Sequence, residues 1–138
     1  MGNEVDWLLG NTYTASLVYV SLVVLSLIVF LSIFELVTRY SCWTEIKRGN
    51  LAVAMATSGK IFGICNIFRF SIEANDSIYQ SLFTGAFGFI ILLASYFLFE
   101  FLTPVFRIDD EIMRDNRAVG FIAMVISVAL SYVIGAVI

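Results

Sequence analysis

FELVTRYSCWTEIKRGNLAVA, residues 34–54, and FEFLTPVFRIDDEIMRDNRAVG, residues 99–120, are two versions of one text. Phe34, Glu35 and Thr38 return as Phe99, Glu100 and Thr103; after one inserted residue, Glu45, Ile46, Arg48, Asn50, Ala52 and Val53 return as Glu111, Ile112, Arg114, Asn116, Ala118 and Val119. Each copy sets a charged loop between two uncharged stretches long enough to cross a bilayer. Internal repetition of this kind fixes architecture before any other feature is read. The repeating unit is therefore expected to be a transmembrane hairpin, with repeat one over residues 14–72 and repeat two over residues 77–138 of a single domain.

Working outward, the remaining sequence agrees. The chain has 138 residues, of which 60% are hydrophobic and 14% charged, against roughly 25% charged in a soluble domain. Mean hydropathy is +0.94. With about 20 apolar residues needed to cross some 30 Å of hydrocarbon, four spans are expected. They run from about Thr14 to Val37, from about Asn50 to Phe70, from about Ser77 to Thr103, and from about Arg117 to Ile138. Their apolar runs are continuous instead of alternating, so helices satisfy the backbone in lipid where barrel strands would not. The fold class is an all-α membrane protein of four transmembrane helices, arranged as two tandem helical hairpins of the same orientation.

Basic residues set the orientation, counted in short loops near the span ends. Arg39, Lys47 and Arg48 lie in the first loop and Arg107, Arg114 and Arg117 in the third, while the second loop and the termini contribute only Arg69. Loops one and three are expected in the cytoplasm and both termini outside. The acidic N-terminus MGNEVDWLLGN does not read as a cleavable signal. Asp6 occupies the position where a myristoylation motif needs Ser or Thr.

Composition also narrows the chemistry. A net charge of -3 with interspersed signs offers no nucleic-acid surface. Histidine is absent, which removes the commonest general base and metal ligand. Cys42 and Cys65 stand in different settings and suggest neither a disulfide nor a zinc site. No nucleophile, base or metal set is visible, so no enzyme activity, cofactor or metal is expected.

Three ionisable residues in the spans are the leading functional candidates, because such groups usually face a partner or a cavity. Glu35 and Glu100 are repeat-equivalent and lie about one turn inside the loop end, where they can reach headgroups or pair with Arg39 and Arg107. Lys60 lies about 15 Å beyond Asn50 at 1.5 Å per residue, near the bilayer centre. Its repeat equivalent is Ile126, so the scaffold does not require the charge. An ion pair with Glu35 or Glu100, a lumen or proton path, and a headgroup contact all remain open for it. Gly59 and Gly63, with Ser127, Ser131 and Gly135, are small residues suited to close helix packing. Asn50 and Asn116 begin spans two and four as caps or interhelical bonders, and Asn66 and Arg69 sit toward the outer end of span two, where interfacial anchoring is one reading and a packing or polar contact through Asn66 the other. Tyr40, Trp43 and Ile46 recur every three residues, as in a short interfacial helix whose aromatic residues sit at headgroup level. Asp109, Asp110 and Glu111 place negative charge at a helix N-terminus, and Pro104 suits a sharp exit from span three. The candidate cytoplasmic interface is Arg39, Trp43, Lys47, Arg48, Arg107, Arg114 and Arg117.

With FE-x-x-T closing one span, E-I-x-R-x-N-x-A-V leading into the next, and SGKIFG in the second span, the chain resembles the bacterial domain of unknown function 350 family over nearly its whole length. The resemblance implies a small inner-membrane protein of two such repeats, sometimes encoded near phage-shock-protein-like membrane-stress factors. It supplies no reaction. Two classes of function follow: a non-enzymatic membrane-stress or scaffold component contacting lipid and a peripheral cytoplasmic partner, or an oligomeric channel or transporter using Glu35, Glu100 and Lys60. Four helices with so much apolar surface also favour a homo-oligomer.

Overall fold

A computed structural model describes residues 7, 9–38, 40–102 and 107–138 of the chain. Gly2, Glu4, Asp6, Arg39, Thr103 and Pro104, on which some of the readings above rest, lie outside the described residues. Among the described residues the helices are α1 (Thr12–Val37), α2 (Cys42–Lys47), α3 (Leu51–Ala74), α4 (Ile78–Leu102), α5 (Ile108–Met113) and α6 (Arg117–Val137). No strand occurs among the described residues. The four long helices are each apolar and long enough to cross a membrane. The second extends to Ala74, one turn beyond the end expected from hydropathy, because its polar outer turn still packs against α4 through Ser71, whose hydroxyl donates to the Ser81 carbonyl.

The turns from α2 into α3 and from α5 into α6 are built alike. Gly49 (φ 86°) and Asp115 (φ 60°) adopt the left-handed conformation that ends a helix. The Gly49 and Asn50 amides donate back to Ile46 and Glu45, and the Asp115 and Asn116 amides donate to Ile112 and Glu111. The next residue then becomes a cap. The Asn50 side chain accepts from the Val53 amide at 3.0 Å, and that of Asn116 from the Val119 amide at 3.4 Å. Two backbone liabilities, unpaired carbonyls at one helix end and unpaired amides at the next, are answered within one turn of chain.

α3 is the central helix: 61% of its most apolar stretch is buried, against 11% for α1. It runs alongside α6 in the same direction. A β-carbon on Gly59 would fall 2.7 Å from the Met124 Cα, one on Gly63 3.2 Å from the Ser127 carbonyl oxygen, and the Asn66 amide donates to the Ser131 hydroxyl at 3.0 Å. Small residues let the two backbones approach where lipid supplies no hydrophobic drive between helices. α1 and α4 also share a direction, since Phe30 stacks on Phe89 at 4.2 Å and Phe34 meets Tyr96 edge-on at 6.0 Å. Asn66 therefore makes a polar contact inside the α3–α6 seam. Arg69 is exposed, pairs with Glu73 at 3.2 Å and lies over the Phe70 ring.

Two apolar clusters fill the bundle. One, around Phe34, Ile64, Ile67, Phe68, Phe89 and Leu92, occupies its middle. The other, around Tyr40, Ala52, Val53, Ala56, Ile108 and Ile112, seals the end that carries α2 and α5. Both short helices are folded onto the bundle by Ile108, Ile112 and Cys42, all buried. Large apolar side chains such as Leu17, Ile28, Phe83, Phe87 and Val133 point outward, the arrangement a lipid-facing surface requires.

Candidate functional site

Lys60 is 1% exposed. Its side chain runs from the middle of α3 toward the loop end, so the ammonium is shielded by protein at a depth where lipid would make a charge costly. Three rings surround it, with the Nζ 5.1 Å from the Phe34 centroid, 5.5 Å from that of Tyr40 and 5.1 Å from that of Tyr96. Each distance lies within the reach of a cation–π attraction, and desolvation strengthens it. The Nζ also lies 3.5 Å from the Tyr40 hydroxyl, at the outer edge of hydrogen-bonding distance.

The hydroxyl groups carry the site onward. The Tyr40 and Tyr96 rings both flank the Lys60 ammonium and their hydroxyls lie within interacting reach of each other, while the Tyr96 hydroxyl donates to the Asp109 carboxylate. Asp109 is 2% exposed. Burial, reinforced by the charge of Asp109, pushes the Tyr40 hydroxyl well above its ordinary value and keeps it a neutral phenol. The result is a buried chain of ammonium, phenol, phenol and carboxylate that crosses from α3 through the α1–α2 segment and α4 to α5. Cys42 and Glu100 also lie within electrostatic reach of Lys60. Thr57, one turn before Lys60 on the same helix face, has a buried hydroxyl with no hydrogen-bond partner among the described residues.

The structure distributes the sequence candidates as follows. Glu100 is near Lys60, whereas the Glu35 carboxylate accepts a hydrogen bond from the Ser41 hydroxyl at 3.2 Å. Gly59 and Gly63 lie in the seam beside α6. Asn50 does more than cap, because its amide donates to the Ile112 and Met113 carbonyls at 3.2 and 2.9 Å and so ties the two loops together. In return Asp115 accepts the Ala52 amide at 3.0 Å. Asn116 donates to Glu111 at 2.9 Å. The interface candidates Trp43, Lys47, Arg48, Arg107, Arg114 and Arg117 are all exposed at the loop end, with Arg48 and Arg114 drawn to Glu45 and Glu111 on their own helices.

Two residues take roles that the sequence did not suggest. Tyr40 does not share the exposure of Trp43: it is 5% exposed and forms a wall of the Lys60 cage. Asp109 is not simply a charge at the start of a helix, since its carboxylate is buried and bonded to Tyr96. A signal for both existed. On the register that pairs Glu45 with Glu111, Lys60 faces Ile126, Asp109 faces Trp43 and Tyr40 faces Phe106, and on the register of Phe34 with Phe99, Tyr96 faces Leu31. Every member of the chain is polar where its repeat counterpart is apolar.

Comparison with known proteins fits this architecture. A family model described as Domain of Unknown Function (DUF350) matches residues 7–138. The chain is 60% identical over 118 residues to the UPF0719 transmembrane protein YshE of Bacillus subtilis (strain 168), covering 86% of this chain and 88% of that protein. No solved structure matches the chain. A membrane protein with four spans, matched along nearly its whole length, the chain belongs to the DUF350 family.

Proposed function

We propose that the protein is a non-enzymatic inner-membrane scaffold of two tandem hairpins, whose loop helices form a cytoplasmic platform for lipid headgroups and a peripheral membrane-stress partner. The observation that carries this reading is the division of charge between two places. Arg48, Arg114 and Arg117 stand at the loop end with side chains 71%, 75% and 67% exposed, whereas Lys60 and Asp109 are withdrawn into the bundle. Exposed cations attract anionic headgroups by about 1 kcal/mol each, and Trp43 supplies an aromatic edge at the same level.

The matching turns after α2 and α5, and the shared direction of α3 and α6, support parallel hairpins. The basic loops support a cytoplasmic platform with both termini outside. The poorly buried α1 supports self-association in the bilayer, which offers each copy a protein neighbour in place of lipid. A second reading, an oligomeric channel or transporter using Glu35, Glu100 and Lys60, is favoured by the nearness of Glu100 to Lys60.

Cysteine accessibility and lipid retention test the platform. Because Cys42 is buried, the label belongs at Arg48→Cys. A membrane-impermeant thiol reagent is expected to modify it in inverted vesicles and not in intact cells; the opposite pattern reverses the orientation. In nanodiscs of mixed lipid, R48E/R114E/R117E is expected to lose the anionic lipid that the unmodified protein retains. Equal retention removes the headgroup role, and a steady ion current through proteoliposomes that Lys60→Met abolishes makes the channel reading the correct one.

A further inference from the structure

We propose that Lys60, Tyr40, Tyr96 and Asp109 form a buried proton-exchange site, in which one proton passes between the Lys60 nitrogen and the Asp109 carboxylate through the two phenol hydroxyls. The site shares α5 with the loop platform through Asp109 but does not require headgroup binding there. Its first support is continuity: Lys60 reaches Tyr40 at 3.5 Å, Tyr40 and Tyr96 flank the same ammonium within interacting reach of each other, and Tyr96 donates to Asp109. Its second is dryness, since these residues are 1%, 5%, 7% and 2% exposed in the order Lys60, Tyr40, Tyr96, Asp109. Its third is the repeat itself, because the counterparts Ile126, Phe106, Leu31 and Trp43 carry none of this chemistry. Each hairpin carries two of the four polar groups, at positions where the other hairpin carries apolar side chains.

The transfer balances without any further reactant. Asp109 takes the proton of the Tyr96 hydroxyl, Tyr96 takes that of Tyr40, and Tyr40 takes one from the Lys60 ammonium. Each phenol ends as it began, the ammonium becomes an amine, and the carboxylate becomes a carboxylic acid. A buried ion pair and the corresponding neutral pair are natural competitors, because desolvation penalises both charges while their attraction offsets that penalty only with good geometry. Asp109 is itself buried, but its neighbours Asp110 and Glu111 on α5 are partly exposed, which makes it the member of the site nearest the loop surface.

The groups that face Lys60 define what else can act on it. The α1–α2 segment and α2 contribute Tyr40 and Cys42, α4 contributes Tyr96 and Glu100, and α5 contributes Asp109. α1 contributes the neutral Phe34 ring. α6 has no ionisable side chain between Ala118 and Ser131. On α3 itself the unpaired Thr57 hydroxyl lies one turn away and offers a neutral acceptor.

The experiment uses the fact that the chain contains two lysines, Lys47 and Lys60. With lysine labelled by 15N at Nζ and Lys47→Arg in the background, the full-length protein in lipid bilayers gives one side-chain nitrogen signal by solid-state NMR. The signal is expected to convert between ammonium and amine as pH is varied from about 5 to about 10. The midpoint is expected to move by at least about one unit in both Asp109→Asn and Tyr96→Phe. Tyr96→Phe keeps the ring of the cage, and an unchanged backbone spectrum shows that the bundle remains folded. An ammonium signal that persists across the range overturns the proposal, and so does a titration that neither variant alters.

Discussion

Gly59 lies against the backbone of Met124: a β-carbon at Gly59 would sit 2.7 Å from the Met124 Cα and 3.0 Å from its carbonyl oxygen. Gly120 has the same relation to Ala52, with the Cα and carbonyl oxygen both at 2.7 Å. Backbone cannot swing aside as a side chain does. The α3–α6 seam therefore depends on these two glycines at either side of one crossing.

Gly59→Ala and Gly120→Ala are each expected to destabilise the bundle by about 1–3 kcal/mol, even though alanine gains about 1 kcal/mol in helix propensity. A β-carbon at Gly135 meets the ring of Phe70 first, a side chain that is partly exposed and can rotate, so the cost of Gly135→Ala is expected to be smaller. Thermal unfolding in detergent ranks the three. If Gly135→Ala proves the most damaging, the seam has been located wrongly.

Asn50 and Asn116 cap equivalent helices but carry unequal loads. Asn116→Ala loses a cap worth about 1 kcal/mol. Asn50→Ala also removes the bonds to the Ile112 and Met113 carbonyls, adding about 1 kcal/mol for each bond. Comparing the two variants in unfolding experiments is expected to show Asn50→Ala as the more destabilising by at least about 1 kcal/mol. Equal losses contradict the bridge between the loops.

Tyr40 makes stability sensitive to strong alkali. Burial raises its ionisation above the ordinary phenol value of about 10, so above that pH the unfolded chain loses a proton that the folded chain keeps. The unfolded state then binds fewer protons, and stability falls as pH rises. Unfolding temperature is expected to decline more steeply above about pH 10 in the unmodified protein than in Tyr40→Phe. Parallel curves for the two proteins would show that Tyr40 is solvated.

The spans were legible in the sequence because continuous apolar runs of this length have one physical solution in lipid, and the capping asparagines because each follows a turn-forming residue. The depth order of the helices was not legible. All four read as apolar all round, and only packing shows that α3 is enclosed while α1 is open. The partner of Asn66 was not legible either, because only the packing of α3 on α6 brings it to Ser131. Lys60 announced itself as a charge needing compensation, and Glu35 and Glu100 were the carboxylates at a matching depth. Asp109 escaped notice because a carboxylate in the first turn of a helix already has a satisfactory explanation. Long-range folding of α5 onto the bundle, which local sequence does not encode, turns it inward.

The central claim is that Lys60 and Asp109 compensate each other through Tyr40 and Tyr96. A double-mutant cycle tests it most directly, with Lys60→Met, Asp109→Asn and the combined variant unfolded in the same bilayer mimetic. Each single change strands a buried polar partner and is expected to cost about 1.5–3 kcal/mol, while the pair together is expected to cost less than the sum, with coupling above about 0.5 kcal/mol. The same cycle with Glu35→Gln in place of Asp109→Asn is expected to be additive. Additivity between Lys60 and Asp109, or stronger coupling of Lys60 to Glu35, would contradict the account.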